Sequence, residues 1–138
     1  MTIRNGRCLC GAVRFEYREP ANWVGHCHCE SCRRNTSSPY TTFVGVPRDA
    51  FRFTGIEPSA YTSSPGVRRL FCPRCGAPVA FDADHYPDEI HCYLAALEDA
   101  SGLEPEFHAY AGEKVPWVTL GDDLPKYLHG DSGPKLED

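Results

Sequence analysis

Short runs in which apolar and polar residues alternate, broken by Gly or Pro every eight to twelve residues, dominate the chain. Ala12-Val13-Arg14-Phe15-Glu16-Tyr17 alternates throughout and predicts a half-buried strand. Trp23–His26 predicts a second strand, and Tyr40–Val46, rich in β-branched and aromatic residues, predicts the strongest one. Pro47–Ala50 reads as a turn leading into a strand over Phe51–Thr54. Further strands are expected over Ser59–Thr62, Val67–Phe71, Pro78–Asp82, Glu89–Ala95, Glu106–Tyr110 and Trp117–Leu120. Helix is expected only as single turns at Ser31–Thr36 and Leu124–Leu128, because no longer window repeats with a 3.6-residue period. The pattern specifies a mainly β chain built as a meander of short strands. One domain is expected over residues 1–129, followed by a polar tail over residues 130–138 that should fray.

Composition narrows the class. At 138 residues with 41% hydrophobic content the chain can bury a core without disulfides. No stretch approaches the ~20 apolar residues of a membrane span. Met1-Thr2-Ile3-Arg4-Asn5 lacks the apolar centre of a secretory signal, so the cytoplasm is the expected compartment. Net charge is −5 and uneven: residues 1–69 carry ten Arg against five acids, whereas residues 70–138 carry four basic residues against fourteen acids. An acidic chain is a poor nucleic-acid binder, and neither nucleic acid nor membrane is an expected partner. The Arg-rich half is better suited to a small anion.

The eight cysteines change the picture most. Cys72-Pro73-Arg74-Cys75-Gly76 is a knuckle that aims two sulfurs at one ion, with Gly permitting the tight turn. Cys8-Leu9-Cys10-Gly11 is a second such pair, and together the pairs make a closed four-sulfur zinc site clamping the N-terminal hairpin to the middle of the chain. A disulfide pair or buried free thiols are the alternatives; a reducing compartment and the spacing favour zinc. Cys27-His28-Cys29-Glu30-Ser31-Cys32 differs, since three sulfurs within six residues leave one zinc position vacant. A thiol entering there would be deprotonated near neutral pH. His26 and His28 flank this trio as candidate ligands or proton carriers. Cys92 could complete a second closed site, but within a predicted strand it reads better as a core thiol. Arg33, Arg34, Arg68 and Arg69 are suited to gripping carboxylates, while Tyr40, Phe43 and Trp117 are candidates to line a pocket.

Cys-Leu-Cys-Gly-Ala-Val-Arg-Phe at residues 8–15, Cys-His-Cys-x-x-Cys-Arg-Arg at 27–34 and Phe-Cys-Pro-Arg-Cys-Gly at 71–76 occur in an order that resembles the family of glutathione-dependent formaldehyde-activating enzymes and centromere protein V. Ser64-Pro65-Gly66-Val67, Tyr86-Pro87-Asp88-Glu89-Ile90 and Pro116-Trp117 extend the resemblance to about residues 5–128. It implies a β-tent of stacked antiparallel sheets with zinc knuckles. It also implies two zinc ions per chain: a structural one at Cys8, Cys10, Cys72 and Cys75, and a catalytic one at Cys27, Cys29 and Cys32, which as an enzyme's open site is expected to exchange and could be partly occupied.

The implied activity is that of a carbon–sulfur lyase resembling S-(hydroxymethyl)glutathione synthase, joining a glutathione-like thiol to formaldehyde or a related small aldehyde. From the residues themselves, Arg33, Arg34, His28 and Trp117 are the candidate substrate contacts. Self-association into a homo-oligomer is compatible with this picture. The alternative is a non-catalytic β-tent zinc module that binds a partner protein. One departure stands out: where the family runs Ala-Ser-Gly after the paired arginines, this chain has Asn35-Thr36-Ser37.

Overall fold

A computed structural model describes residues 2–131 and 133–136. Ten strands and one α-helix occur among them: β1 (Ile3–Arg7), β2 (Arg14–Arg18), β3 (Trp23–Cys27), α1 (Glu30–Thr36), β4 (Thr41–Pro47), β5 (Phe51–Phe53), β6 (Ser59–Ser64), β7 (Val67–Phe71), β8 (Pro78–Ala83), β9 (Glu89–Tyr93) and β10 (His108–Ala109). Short 3₁₀ turns lie at Arg48–Ala50, Leu94–Ala96 and Ala111–Glu113. The chain is mainly β, as its alternation predicts, and its strands form two sheets. No helix among the described residues is long and apolar enough to cross a membrane.

Two units divide the chain: Met1–Asn22 with Val44–Gly102, and Trp23–Phe43 with Leu103–Asp138. The first holds a three-stranded sheet in the order β1-β2-β5, antiparallel throughout. It also holds an antiparallel run in the order β9-β8-β7-β6. Alternation in β2 buries Phe15 and Tyr17 while Arg14 and Arg18 stay exposed. Phe15 stacks on Phe51 at 5.3 Å and also covers Gly6, its register partner across the sheet. Val13, Val44, Val46, Val79, Ala80 and Cys92 are fully buried around this core.

The strand β1 has no counterpart in the sequence analysis. Only Gly6 of its five residues is buried, so there is no apolar alternation to read. Backbone pairing with β2 and the Gly6–Leu97 bridge hold it instead.

In the second unit, β3 pairs with β10. The β3–β10 pair is parallel, His108 lying opposite His26 and Ala109 opposite Cys27, and it is an exception to the expected antiparallel arrangement. Phe107 lies against Gly25, and Trp23 packs on the same ring at 5.6 Å.

Three expectations near the C-terminus fail, one for a local reason and two through backbone pairing with other segments. Trp117–Leu120 is not a strand: the Val118 N–H closes a turn onto the Val115 carbonyl, and the Lys114 ammonium gathers both the Val115 and Val118 carbonyls. Leu124–Leu128 is not a helix, because Tyr127 N–H donates to the His108 carbonyl and His108 N–H to that of Pro125. The tail also pairs back rather than fraying. Leu128 N–H donates to the Pro134 carbonyl at 2.8 Å, and Leu136 N–H to that of Lys126 at 2.7 Å. Polar side chains concealed these contacts, which are made by backbone groups. Ser132, Glu137 and Asp138 of that expected tail lie outside the described residues.

A Cβ on Gly6 would sit 2.2 Å from Phe15 Cζ, on a ring that is itself buried. Gly6→Ala should therefore destabilise the protein by about 1–3 kcal/mol, the usual cost of overpacking. Urea denaturation measures this, and wild-type stability in the variant would show that the ring can yield.

Candidate metal centres

The four-sulfur site is assembled from two loops of like geometry. Cys8 precedes a turn in which Gly11, at φ +81°, donates its N–H to the Cys8 carbonyl. Cys72 precedes another in which Gly76, at φ +78°, donates to the Cys72 carbonyl. A left-handed φ is cheap only for glycine, which explains the Cys-x-x-Cys-Gly and Cys-x-Cys-Gly spellings. The sulfurs of Cys8 and Cys10 lie 3.6 Å apart, and those of Cys10 and Cys72 3.7 Å apart. Four sulfurs at the ~2.3 Å zinc–sulfur distance of a tetrahedron stand about 3.8 Å from one another, so the spacing fits a zinc ion.

None of the eight cysteines is in a disulfide. Cys8 Sγ accepts the Val13 N–H at 3.3 Å, and Cys72 Sγ those of Arg74 at 3.3 Å and Cys75 at 3.4 Å. Backbone bonds from Ala77 and then Cys10 pull the Cys75 thiol down to about 6. Amides aimed at sulfur favour thiolate, the form that binds metal.

The trio is built differently. Cys27 ends β3 and is buried; Cys29 caps α1, its Sγ accepting the Cys32 N–H at 3.3 Å; Cys32 sits in the first turn and is buried. The expected helical turn after Cys29 is therefore what brings Cys32 round to the other two sulfurs. The three sulfurs lie within 4.8 Å of one another. The Cys27 thiol is pushed strongly upward, first by the crowding thiols of Cys29 and Cys32 and then by burial. Three thiolates at such range repel, and a cation among them removes the penalty. This donor set fits zinc with one position left open. No fourth Cys, His or carboxylate among the described residues joins the group. Cys92 is fully buried in β9, outside both clusters, with its thiol pushed up to about 12 by burial.

The predicted neighbours fall unevenly about the trio. His28 is fully buried; its backbone N–H donates to the Ala109 carbonyl at 3.0 Å, and its carbonyl accepts Arg33 Nε at 3.3 Å. Burial, then the neighbouring His108, hold His28 neutral with its pKa at about 4. Arg34 is exposed and pairs with Glu30 one turn back. Tyr40 meets His26 edge-on and His28 at a tilt, whereas Phe43 is core. His26 is bonded through Nδ1 to Thr42 Oγ1 at 2.8 Å. Trp117 is 73% exposed in the turn after Val115, and nothing described there joins it to the trio. In the other unit Arg68 is held by Asp82 and Asp84, and Arg69 lies over Phe81.

Four residues near the trio had escaped the sequence analysis. Glu113 Oε1 accepts the Glu30 N–H at 2.9 Å, filling one of the open donors at the start of α1. The Tyr110 phenol is pushed upward by burial and then by Cys27 and Cys29. His108 and Asp122 continue a hydrogen-bonded chain from His28, at 2.8 and 2.9 Å. A His-Ala dipeptide in a two-residue strand and an Asp in a polar loop carry no local motif, so nothing in the sequence marks them.

Comparison with known proteins bears on the family. The sequence profile of the "Glutathione-dependent formaldehyde-activating enzyme" family matches residues 3–113. The chain belongs to that family. A Halomonas elongata protein provisionally named as such an enzyme is 27% identical over 128 residues, covering 86% of this chain and 81% of the relative. An uncharacterised lyase of Schizosaccharomyces pombe is 32% identical over 76 residues, 55% of each chain. A Rhodobacter sphaeroides crystal structure shares the fold, with a TM-score of 0.58 at 24% identity over 73% of this chain and 91% of that one. At a coarse level, the family and the names of its members support a lyase.

Where the family pattern has Gly, Ser37 ends α1 in the left-handed region at φ 52°, donating its N–H to the Arg33 carbonyl. The departure in sequence thus keeps the glycine-type backbone. Ser37→Val should cost about 1–3 kcal/mol, since a β-branched residue is strained there. Ser37→Gly should leave stability unchanged or raise it. Thermal melts of the two variants test this, and equal stability would contradict the strain.

Proposed function

We propose that the protein is a zinc-dependent carbon–sulfur lyase-type enzyme that joins a glutathione-like thiol to formaldehyde or a similarly small aldehyde and also runs the reverse cleavage. The observation that carries this reading is the contrast between a four-sulfur group and a three-sulfur group within one chain. Zinc at Cys27, Cys29 and Cys32 would supply a vacant position in which a thiol loses its proton near neutral pH.

The protein's own groups prepare that position. Cys29 is fixed at the helix cap, Cys32 by the first turn of α1, and Cys27 by pairing of β3 with β10. His28 is neutral and buried, so it adds no charge beside the sulfurs. Arg33 and Arg34 supply cations on the helix that carries Cys32, suited to a carboxylate-bearing thiol such as glutathione. The reaction is redox-neutral. A carbon–sulfur bond forms as the carbonyl π bond opens, and the proton lost by the thiol is balanced by one gained at the new hydroxyl oxygen. Cleavage reverses both.

Cobalt replacement tests the reading. Adding millimolar glutathione should change the visible spectrum of the dicobalt protein, and Cys29→Ala should abolish the change. An unchanged spectrum would contradict an open site. Cys75→Ser should lower stability by about 3 kcal/mol or more, or about 10 °C in melting temperature. Cys29→Ala should lose one ion and stay folded. Equal damage from both substitutions would mean that the two groups do not differ in role.

A further inference from the structure

His28, His108 and Asp122 form a chain of hydrogen bonds running from the trio's backbone toward solvent. His28 Nε2 lies 2.8 Å from His108 Nδ1, and His108 Nε2 lies 2.9 and 3.2 Å from the two Asp122 oxygens. Both rings are buried, whereas the Asp122 side chain is partly exposed. Asp122 is itself oriented by the Leu124 N–H, which donates to Oδ1 at 3.0 Å.

The carboxylate end sets the polarity of this chain. An ionised carboxylate only accepts, so His108 Nε2 carries the hydrogen. With one proton on the His108 ring, its Nδ1 accepts, and His28 then donates from Nε2. His28 Nδ1 is left bare. It is one of two buried side-chain polar atoms with no hydrogen-bond partner among the described residues.

The consequence reaches the sulfurs through covalent geometry. His28 lies between Cys27 and Cys29, and it is tied at its ring, its N–H and its carbonyl. A rotation of its backbone would swing both sulfurs. Resting on the reading that the trio holds a metal, we propose that Asp122 is a positioning residue for that site: through His108 it fixes the ring and tautomer of His28, and thereby the placement of Cys27 and Cys29. Its role resembles that of the hydrogen-bonded partners that orient metal ligands, here one residue further out.

The test uses the two-zinc protein and a colorimetric chelator, which should draw zinc from the trio in a fast phase and from the quartet in a slow one. Asp122→Ala should accelerate the fast phase about 10-fold, the lower end of the effect of removing a ligand's supporting partner, and leave the slow phase alone. Asp122→Asn provides a signature that a merely structural role would not move. Its amide can donate to His108 Nε2 and reverse the chain, placing a proton on His28 Nδ1. Imidazole ¹⁵N spectra should show Nδ1 unprotonated in the wild type and protonated in Asp122→Asn.

An unchanged fast phase in Asp122→Ala, or a protonated His28 Nδ1 in the wild type, would overturn the proposal. So would a third bound ion that disappears with Asp122→Ala, since His26, His108 and Asp122 would then be ligands themselves. A protein that binds one ion would contradict the proposed function as well. Two ions with an unchanged fast phase would contradict the role of Asp122 alone.

Discussion

Sulfurs held at van der Waals distance cannot all be ionised unless a cation lies among them, and this constraint governs both cysteine groups. Each group is packed more tightly than repelling thiolates tolerate, and neither is relieved by a disulfide. The upward push on Cys27 by its two neighbours and the downward pull of amides on Cys75 are two sides of that constraint. One describes the difficulty of charging the group without metal, and the other how the backbone prepares a sulfur to receive it. The N-terminal loop and the knuckle after β7, sixty-odd residues apart in sequence, meet at the quartet.

The same constraint separates the two sites by role. The quartet could satisfy a tetrahedral ion completely, and on the proposed reading its contribution is to the fold. An ion at the trio would keep one position for a ligand from outside, and the trio's supports come from hydrogen bonds rather than a fourth sulfur. The Cys29 cap, the Glu113 bond to Glu30 and the chain from His28 to Asp122 each remove freedom from the segment between Cys27 and Cys32. A site that must exchange a ligand needs such rigidity from its surroundings, because the metal itself supplies less of it.

Much of this was legible in the sequence because the relevant signals are local. Cysteine spacing with a following glycine reports the knuckles directly, and the alternation in β2 and the branched and aromatic run in β4 report strands that bury a face. What stayed hidden depends on distant parts of the chain. β1 is held by backbone pairing and a glycine under a ring, and residues 124–136 pair through carbonyls that no side chain announces. His108 and Asp122 belong to the site only because β10 runs parallel to β3 and returns the chain beside His28. The family pattern suggested a missing glycine at Ser37; the backbone shows that its conformation was retained.

The most direct test of the account is zinc X-ray absorption on the two-zinc protein, before and after addition of glutathione. A closed quartet and an open trio predict seven protein sulfurs shared between two ions, with one lighter atom completing the coordination. Added thiol should replace that atom with an eighth sulfur. Eight sulfurs in the absence of thiol, or an unchanged first shell in its presence, would contradict an open site and with it the enzymatic reading.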